Sequence, residues 1–535
     1  MRYILLMLTG LSFLLSSCDK FLEETPTETL TDESQITSSP GGVALATGAY
    51  RQLPTWTDGA QAWGGNLVSA FEYGTGKAYS QYMGADLWKF EQNSESGDSD
   101  YFIKPWNNWY GGVRDCNLAI KMIPGVTEMS ETDKSKALGE VRALRAFYYF
   151  CLVRYYGDVV YNTEVLTDIA NASQPRSSLV KIYDEIIVPD LEFAVNESSL
   201  VDEPSSEGRV TKYVARAILA DVYLTMAGYP YQEAVTDTTK AWCSEGLWSM
   251  TEYPVNSSSA QSFLQKSKTQ LDFLYGKYPL GDFSDLNNPD MDNKGGAIFQ
   301  IQYLAGTKDN GFVATTLPLA SQISMFGDEN GTAIPSVGYY ESYNPADIRI
   351  QEKVYFFGRD NKSIKNDPNE GPAAKFAMKF LYKYYDQVAI KETGQSGLNF
   401  NLYRYADILL MLTEVNWALG ITGNDQVKGI NEIRTRAGLS TFLPGGVTLL
   451  DIMSERAYEL IFENKMLFDM RRTRKALIDG SGKFEGLENL VGYQPTSFNF
   501  EFSKKHLLAP ISSTEIDNNR LCLQNYGWSP LQVGQ

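Results

Sequence analysis

The whole chain has a single histidine, His506, and that count limits the chemistry its side chains can do. A Ser-His-Asp or Cys-His nucleophile system would have to use it, and a metal site built on two or three imidazoles is excluded. No GxSxG, HExxH or phosphate-cradling glycine loop occurs in the sequence. His506 lies in "SKKHLLAPISS", which reads as a short strand or turn. The remaining acid–base resource is a pool of 65 carboxylates, two of which suffice for glycoside hydrolysis without any local signature. Glu455, Glu459 and Glu463 recur at four-residue steps on one helical face. With Arg456, Arg471 and Arg472 nearby, they read as a solvated or salt-bridged structural face rather than a metal or acid site. The basic run Arg471 to Lys475 suits a helix C-terminus, where cations meet the dipole. "DMDNKG" opens like an EF-hand loop, yet Lys294 takes a ligand position and Ile301 stands where the bidentate glutamate belongs. The expectation is a protein without catalytic residues, metal or cofactor.

Charge and cysteine usage narrow the partners. The 47 basic residues face 65 acidic ones, a net charge of −18, so nucleic acid is not an expected partner. A chain of 535 residues with 43% hydrophobic content can fill a large globular core. Cys116, Cys151, Cys243 and Cys522 are widely spaced, form no CxxC pair and read as buried thiols; an export compartment would still permit a disulfide. Cys18 stands apart. Arg2 followed by the apolar run Ile4 to Leu15 outlines a signal peptide over residues 1–17, and the run is well short of the roughly 20 residues a spanning helix needs. Leu15, Ser16 and Ser17 before Cys18 resemble the bacterial lipobox. Cys18 is therefore expected to carry lipid, with residues 18–40 as its tether.

The elements that must position any site are mostly helical. In "KSKALGEVRALRAFYYFCLVRYYGD", Val141, Leu144, Tyr148, Leu152 and Tyr155 recur at helical spacing while Ala143, Phe147, Phe150 and Cys151 fill the flank. So wide an apolar face predicts a helix covered on more than one side, ended by Gly157. "LVKIYDEIIVPDLEFAV" predicts a second helix interrupted at Pro189, and "VTKYVARAILADVYLTMAG" a third, opened by Thr211 or Ser206 and closed by Gly228. From about Thr251 to Asn399 the texture turns to Gly, Pro, Asn, Asp and Tyr, with short β-like pieces in "GAIFQIQYLAG" and "EKVYFFGRD". Helices resume with "LYRYADILLMLTEVNWALG", "QVKGINEIRTRAGL" and "LLDIMSERAYELIFENKMLFDMRRTRKAL". The fold class expected is mainly α, with tetratricopeptide-like helix pairs and a loop-rich insertion containing small β pieces. Residues 41–250 form an N-terminal helical region with aromatic loops, 251–400 the insertion and 401–535 a C-terminal helical region.

Several of these segments, taken in order, resemble the SusD/RagB family of outer-membrane nutrient-binding lipoproteins of Bacteroidetes. They are "CDKFLEETP", "WNNWYGGVRDCNLAI", "GEVRALRAFYYFCLVRYYGDV", "GRVTKYVARAILADVYL", "YRYADILLMLTEVNWALG", "INEIRTRAGL", "ERAYELIFENKMLFDMRR" and "LLAPISSTEIDNNRLCLQNYGW". The acidic residues Asp19, Glu23 and Glu24 are likewise similar to surface-export signals of such lipoproteins. Ser512 and Tyr526 stand where the family usually has proline. The resemblance implies an α-α superhelix of tetratricopeptide-like pairs. It also implies a non-catalytic cell-surface protein, anchored to the outer membrane by its N-terminal lipid, that captures oligosaccharides and delivers them to a SusC-like TonB-dependent transporter. A peptide-binding, RagB-like member is the alternative within the family, and a carboxylate-dependent glycoside hydrolase the alternative outside it.

Sugar capture needs flat aromatic faces for pyranose C–H surfaces and polar groups at their edges for the hydroxyls. Five of the nine tryptophans lie between Trp56 and Trp109, interleaved with glycines. Within that stretch Trp63, Tyr73 and Trp88 are candidate ligand-binding residues, joined by Trp106 and Asn108 where the chain leads into the "WYGGVRDCN" helix. A second cluster, "GYYESYNPADIR", offers Tyr339, Tyr340 and Tyr343 beside Asp347 and Arg349; of these, Tyr339 and Tyr343 complete the set. Two or three stacked rings with a few edge hydrogen bonds imply affinities of roughly millimolar to micromolar.

Overall fold

A computed structural model describes residues 36–54, 67–80, 99–165, 173–205, 207–238, 251–318, 324–326, 329, 331–358, 379–496 and 500–528. Cys18, Trp63, Trp88, Ser206 and Cys243 lie outside the described residues, as does the expected leader. The main helices are α1 (Ser39–Gly48), α2 (Leu67–Tyr73), α3 (Asp100–Met122), α4 (Glu131–Tyr156), α5 (Val188–Asn196), α6 (Lys212–Met226) and α7 (Ser258–Leu274). They continue with α8 (Val337–Glu341), α9 (Tyr405–Ala418), α10 (Asn424–Arg436), α11 (Leu449–Glu459), α12 (Met466–Thr473) and α13 (Ser513–Asn518). The long ones stack in chain order: α3 on α4, α4 on α5, α5 on α6, α6 on α7, α7 on α9, and α9 on α10 and α11. This is the expected mainly α architecture of successive helix pairs.

Helix α4 shows why the stack holds. Ser130 caps its first turn by accepting the Asp133 N–H at 3.1 Å, and Gly157, at φ 79°, ends it. Every residue of the expected apolar face is buried, and so are Glu140 and Arg145. Arg145 is neutralised by Asp190 of α5 at 2.7 Å. Close approach to α3 depends on Gly112, where a Cβ would lie 2.4 Å from the Tyr148 ring. Before α5 the chain widens into a π turn, Tyr183–Ile187, so the missing N–H of Pro189 falls in the first turn of α5 instead of breaking a helix.

The expected insertion is stitched to both flanking regions. Strand β4 (Ala297–Ile301) pairs with β8 (Phe400–Arg404), which runs straight into α9. β5 (Ile334–Pro335) pairs with β1 (Ala78–Tyr79), far upstream in the chain. β6 (Phe356–Gly358) pairs with β7 (Lys379–Leu381). Two further ladders, β2 (Val159–Val160) with β3 (Arg176–Ser177) and β9 (Lys475–Ile478) with β10 (Gly486–Asn489), serve as short clips. Two helical expectations need correcting. Helix α7 lies where loop texture was expected, its seam residues Ala260, Leu264, Ser267, Leu271 and Leu274 all buried. The long helix expected over residues 449–477 is two helices, broken where Phe462 and Asn464 take positive φ of 57° and 62°.

The break lets one buried ionic core form. Glu459 accepts from Arg349 Nη1 at 3.0 Å, Arg404 Nη1 at 2.6 Å and Arg436. Glu463 takes Arg404 Nε at 2.9 Å together with Lys383. Glu455 accepts from Arg349 and Arg434 at 2.7 and 3.1 Å. The three glutamates thus form a salt-bridged structural set, as expected, but inside the protein and not on a solvated face. Burial alone would push Glu459 up, yet Arg436, Arg404 and Arg349 outweigh it and hold its carboxyl far below the ordinary range.

Candidate ligand-binding face

The β1·β5 pair brings the amino-terminal aromatic region and the insertion together. Lys77, just before β1, is buried and donates to the Leu477 carbonyl at 2.7 Å, Asp479 at 2.6 Å and the Tyr493 hydroxyl at 2.6 Å. Its ammonium also sits 5.2 Å from the Tyr493 ring and 5.6 Å from Phe484. Burial pulls the Lys77 pKa down, and Asp479 opposes that pull. One lysine therefore pins the end of α2 to the β9·β10 clip, and the Ser336 N–H to Lys77 carbonyl bond of 2.8 Å adds β5 to the junction. No pattern in the sequence marks Lys77, because the partners of its ammonium lie about 400 residues away.

The described candidates divide from the expectation. Tyr73 closes α2 and its hydroxyl donates to the Thr332 carbonyl. Trp106 and Asn108 sit within α3, which begins at Asp100, nine residues before the Trp109 at which the sequence reading begins the helix. Pro105 disguises that start: the Tyr101 carbonyl it leaves without a helical donor accepts the Tyr155 hydroxyl at 3.4 Å. Trp106 packs against Tyr110 and Tyr156 at centroid distances of 4.9 and 5.0 Å, and Asn108 donates to Gln52 at 3.1 Å. Tyr339 and Tyr343 anchor α8 to α11 by donating to the carbonyls of Ala457 at 2.6 Å and Tyr458 at 2.9 Å. All five are enclosed. In the structure each is a tie between elements, because a tyrosine, tryptophan or asparagine can hold a hydrogen-bond partner while filling a core. Asp347 and Arg349 are likewise drawn into the ionic core.

Rings that stay half-buried lie on the same neighbouring elements. Tyr79 is on β1 and Tyr340 on α8, edge-on to Phe356 at 5.2 Å. β7 packs beside β5, and directly after it Tyr382 and Tyr385 stack at 4.9 Å and 16°. Tyr384 between them turns inward and donates to the Phe462 carbonyl at 2.8 Å. The run "LYKYYD" carried that signal in the sequence, although alternation alone does not say which side faces solvent.

His506 has a structural task. Its Nδ1 accepts the Ser503 N–H at 2.9 Å, closing the short turn Lys504–Leu507. Ser503 Oγ lies 3.2 Å from the same nitrogen, but a lone pair already used by the backbone cannot also take the hydroxyl proton. In the "DMDNKG" turn Lys294 donates to the Asp290 carbonyl at 2.8 Å, and Asp292 accepts the Asn399 N–H at 3.1 Å. Cys116 and Cys151 are buried free thiols, and Cys522 is buried as well. No described helix is long and apolar enough to cross a membrane.

The chain matches two family models, that of the SusD family over residues 245–528 and one described as starch-binding, associating with the outer membrane, over residues 44–224. It belongs to the SusD family. A SusD-like protein of Bacteroides ovatus is 25% identical over 487 residues, 88% of this chain and 82% of the relative. A SusD superfamily structure from Parabacteroides distasonis superposes with a TM-score of 0.78 at 32% identity, covering 91% of this chain and 99% of the other. Surface glycan-binding protein A from Bacteroides thetaiotaomicron, solved in complex with laminarihexaose, has the same fold, with a TM-score of 0.66, 20% identity and coverage of 91% and 100%.

Proposed function

We propose that this protein is a non-catalytic, lipid-anchored surface protein of the outer membrane that captures oligosaccharides and passes them to a TonB-dependent transporter. The observation that carries the reading is membership of the SusD family along most of the chain, joined to half-buried tyrosines on the face where β1, β5 and β7 meet. The glycan-bound relative supports the ligand class. Stacked tyrosines such as Tyr382 and Tyr385 offer the flat surface a pyranose ring requires, and Trp63, Trp88, Tyr79 and Tyr340 are proposed to extend it.

Affinity electrophoresis of the mature protein through a panel of polysaccharides tests the reading. At least one glycan should retard it, and Trp88→Ala or Tyr385→Ala should weaken the retardation about tenfold while leaving the melting temperature within a degree or two. A protein that ignores every polysaccharide but binds peptides, or that releases cleavage products, overturns it. The anchor is tested separately: Cys18→Ala should move the protein from the membrane to the soluble fraction with its ligand affinity intact, and retention on membranes would refute the lipid.

A further inference from the structure

Behind α2, where the ends of α3, α4 and α12 meet the C-terminal segment, lies a cleft lined by Tyr73, Phe102, Tyr155, Phe502, Trp528 and one cation, Arg471. Its empty space, counted out to the mouth, is about 480 Å³, of which water-sized groups could occupy about 40 Å³. A single water needs roughly 10–15 Å³ of such space, so the inner part suits a small polar group and is too tight for a sugar ring.

Arg471 differs from the cations around it. Arg472, next in the chain, binds Glu414 and Asp469 at 2.5 and 2.7 Å, and Arg456 binds Asp407 and Asp469 at 2.9 and 2.7 Å. Arg471, only 8% exposed, donates through Nη2 to the His506 carbonyl at 3.0 Å. Its Nε and Nη1 have no acceptor among the described residues. The Tyr155 ring lies 5.4 Å from its guanidinium carbon, and that hydroxyl is already turned to Tyr101. Burial without a carboxylate partner pulls the guanidinium down to about 10. A buried guanidinium with two open nitrogens is costly to keep, and the planar fork of N–H groups is matched by an oxyanion. The rings around it offer apolar walls for the body that carries the charge.

We infer that this cleft is an oxyanion subsite: Arg471 receives the carboxylate or sulfate-ester group of an acidic sugar while the sugar ring stays at the aromatic mouth. The inference deepens the glycan-capture reading and rests on it.

The test is calorimetric titration of the mature full-length protein with three probes. They are oligogalacturonate, the same oligomer with its carboxyls reduced to alcohols, and a sulfated galactan. The acidic oligomer should bind at least about tenfold more tightly than its reduced form. The carboxylate and sulfate arms show which oxyanion is taken. Arg471→Gln should erase the preference, and Arg471→Lys, which keeps the charge and loses the fork, should retain part of it. Thermal melts of both unliganded variants check that each is folded. Equal affinity for charged and reduced oligomers in the wild type, or a preference that survives Arg471→Gln, overturns the subsite. The glycan reading fails separately, if no polysaccharide of any kind binds; the cleft is then judged on glucuronate and acetate alone. Anion stabilisation in the melt that disappears with Arg471→Gln supports the subsite, and no such stabilisation in the wild type overturns it.

Discussion

Arg349→Met probes the ionic core more sharply than any other single change. The side chain is fully buried and serves three carboxylates: Asp347 at 2.8 Å, Glu455 at 2.7 Å and Glu459 at 3.0 Å. Methionine fills much of the same volume, so the loss falls on electrostatics and hydrogen bonding rather than on a cavity. Glu455 keeps Arg434, and Glu459 keeps Arg404 and Arg436, but the buried Asp347 keeps no cation among the described residues. Removing one partner of a buried ion pair costs about 3–5 kcal/mol. With an unfolding entropy of ~2.1 cal/mol/K per residue, a chain of 535 residues loses ~4 °C of melting temperature for ~4 kcal/mol.

The pH dependence has a definite sign. Against the burial that would raise it, the arginines depress the Glu459 pKa below its unfolded value of 4.5. Its contribution is therefore present above that pH and lost as the pH falls through the folded value. In Arg349→Met only Arg436 and Arg404 hold the Glu459 carboxyl down, so its folded value is less depressed than in the wild type. The deficit against wild type should be greatest near pH 7 and shrink in acid, once the pH falls below 4.5 through the variant's less depressed Glu459 value. Scanning calorimetry from pH 7.5 into the acid range well below 4.5 measures both quantities. A melting change under 1 °C at pH 7, or a deficit that widens in acid, would show that Arg349 does not neutralise this cluster.

Burial pushes the Glu72 carboxyl up to about 8, so the folded state favours its neutral form and wild-type stability should decline as pH rises from about 4.5 to 8; Glu72→Gln keeps an acceptor for the Asn464 N–H and should remove the decline, gaining on the order of 3 kcal/mol at pH 8, whereas parallel melting-versus-pH curves would refute the assignment. Gly112→Ala sets a methyl 2.4 Å from the Tyr148 ring, whose hydroxyl holds the Ala49 carbonyl at 2.8 Å; it should cost about 1–3 kcal/mol in denaturant unfolding, and an unchanged midpoint would mean that α3 and α4 can separate freely.

How much of this molecule is legible in its sequence depends on where each partner lies. Helix α4 could be read because its whole apolar surface is local and its caps, Ser130 and Gly157, are adjacent to it. Helix α7 could not, since the centre of its seam is Ser267, whose hydroxyl is buried only because it donates to the Ala220 carbonyl of α6 at 2.8 Å. The break after α11 was hidden for a related reason. Glu459 and Glu463 keep a helical spacing in sequence while the backbone between them turns through left-handed conformations to meet cations from β8 and from the segment after β7.

The site follows the same rule with greater consequence. Composition favours aromatics for a ligand face, but a tyrosine is equally suited to tie two elements, and only its partner decides between the roles. Tyr339 and Tyr343 find backbone carbonyls on α11 and are consumed by packing. Tyr382 and Tyr385, three residues apart in a short run, stack on each other and keep part of their surface in solvent. Arg471 is the inverse case. In sequence it is one more cation at the end of α12, where the helix dipole accounts for it. In the fold its neighbours take the available carboxylates and it faces aromatic walls. A buried guanidinium left without a carboxylate among the described residues points to a ligand more specifically than a ring does, because a ring can be satisfied by packing and a buried guanidinium cannot.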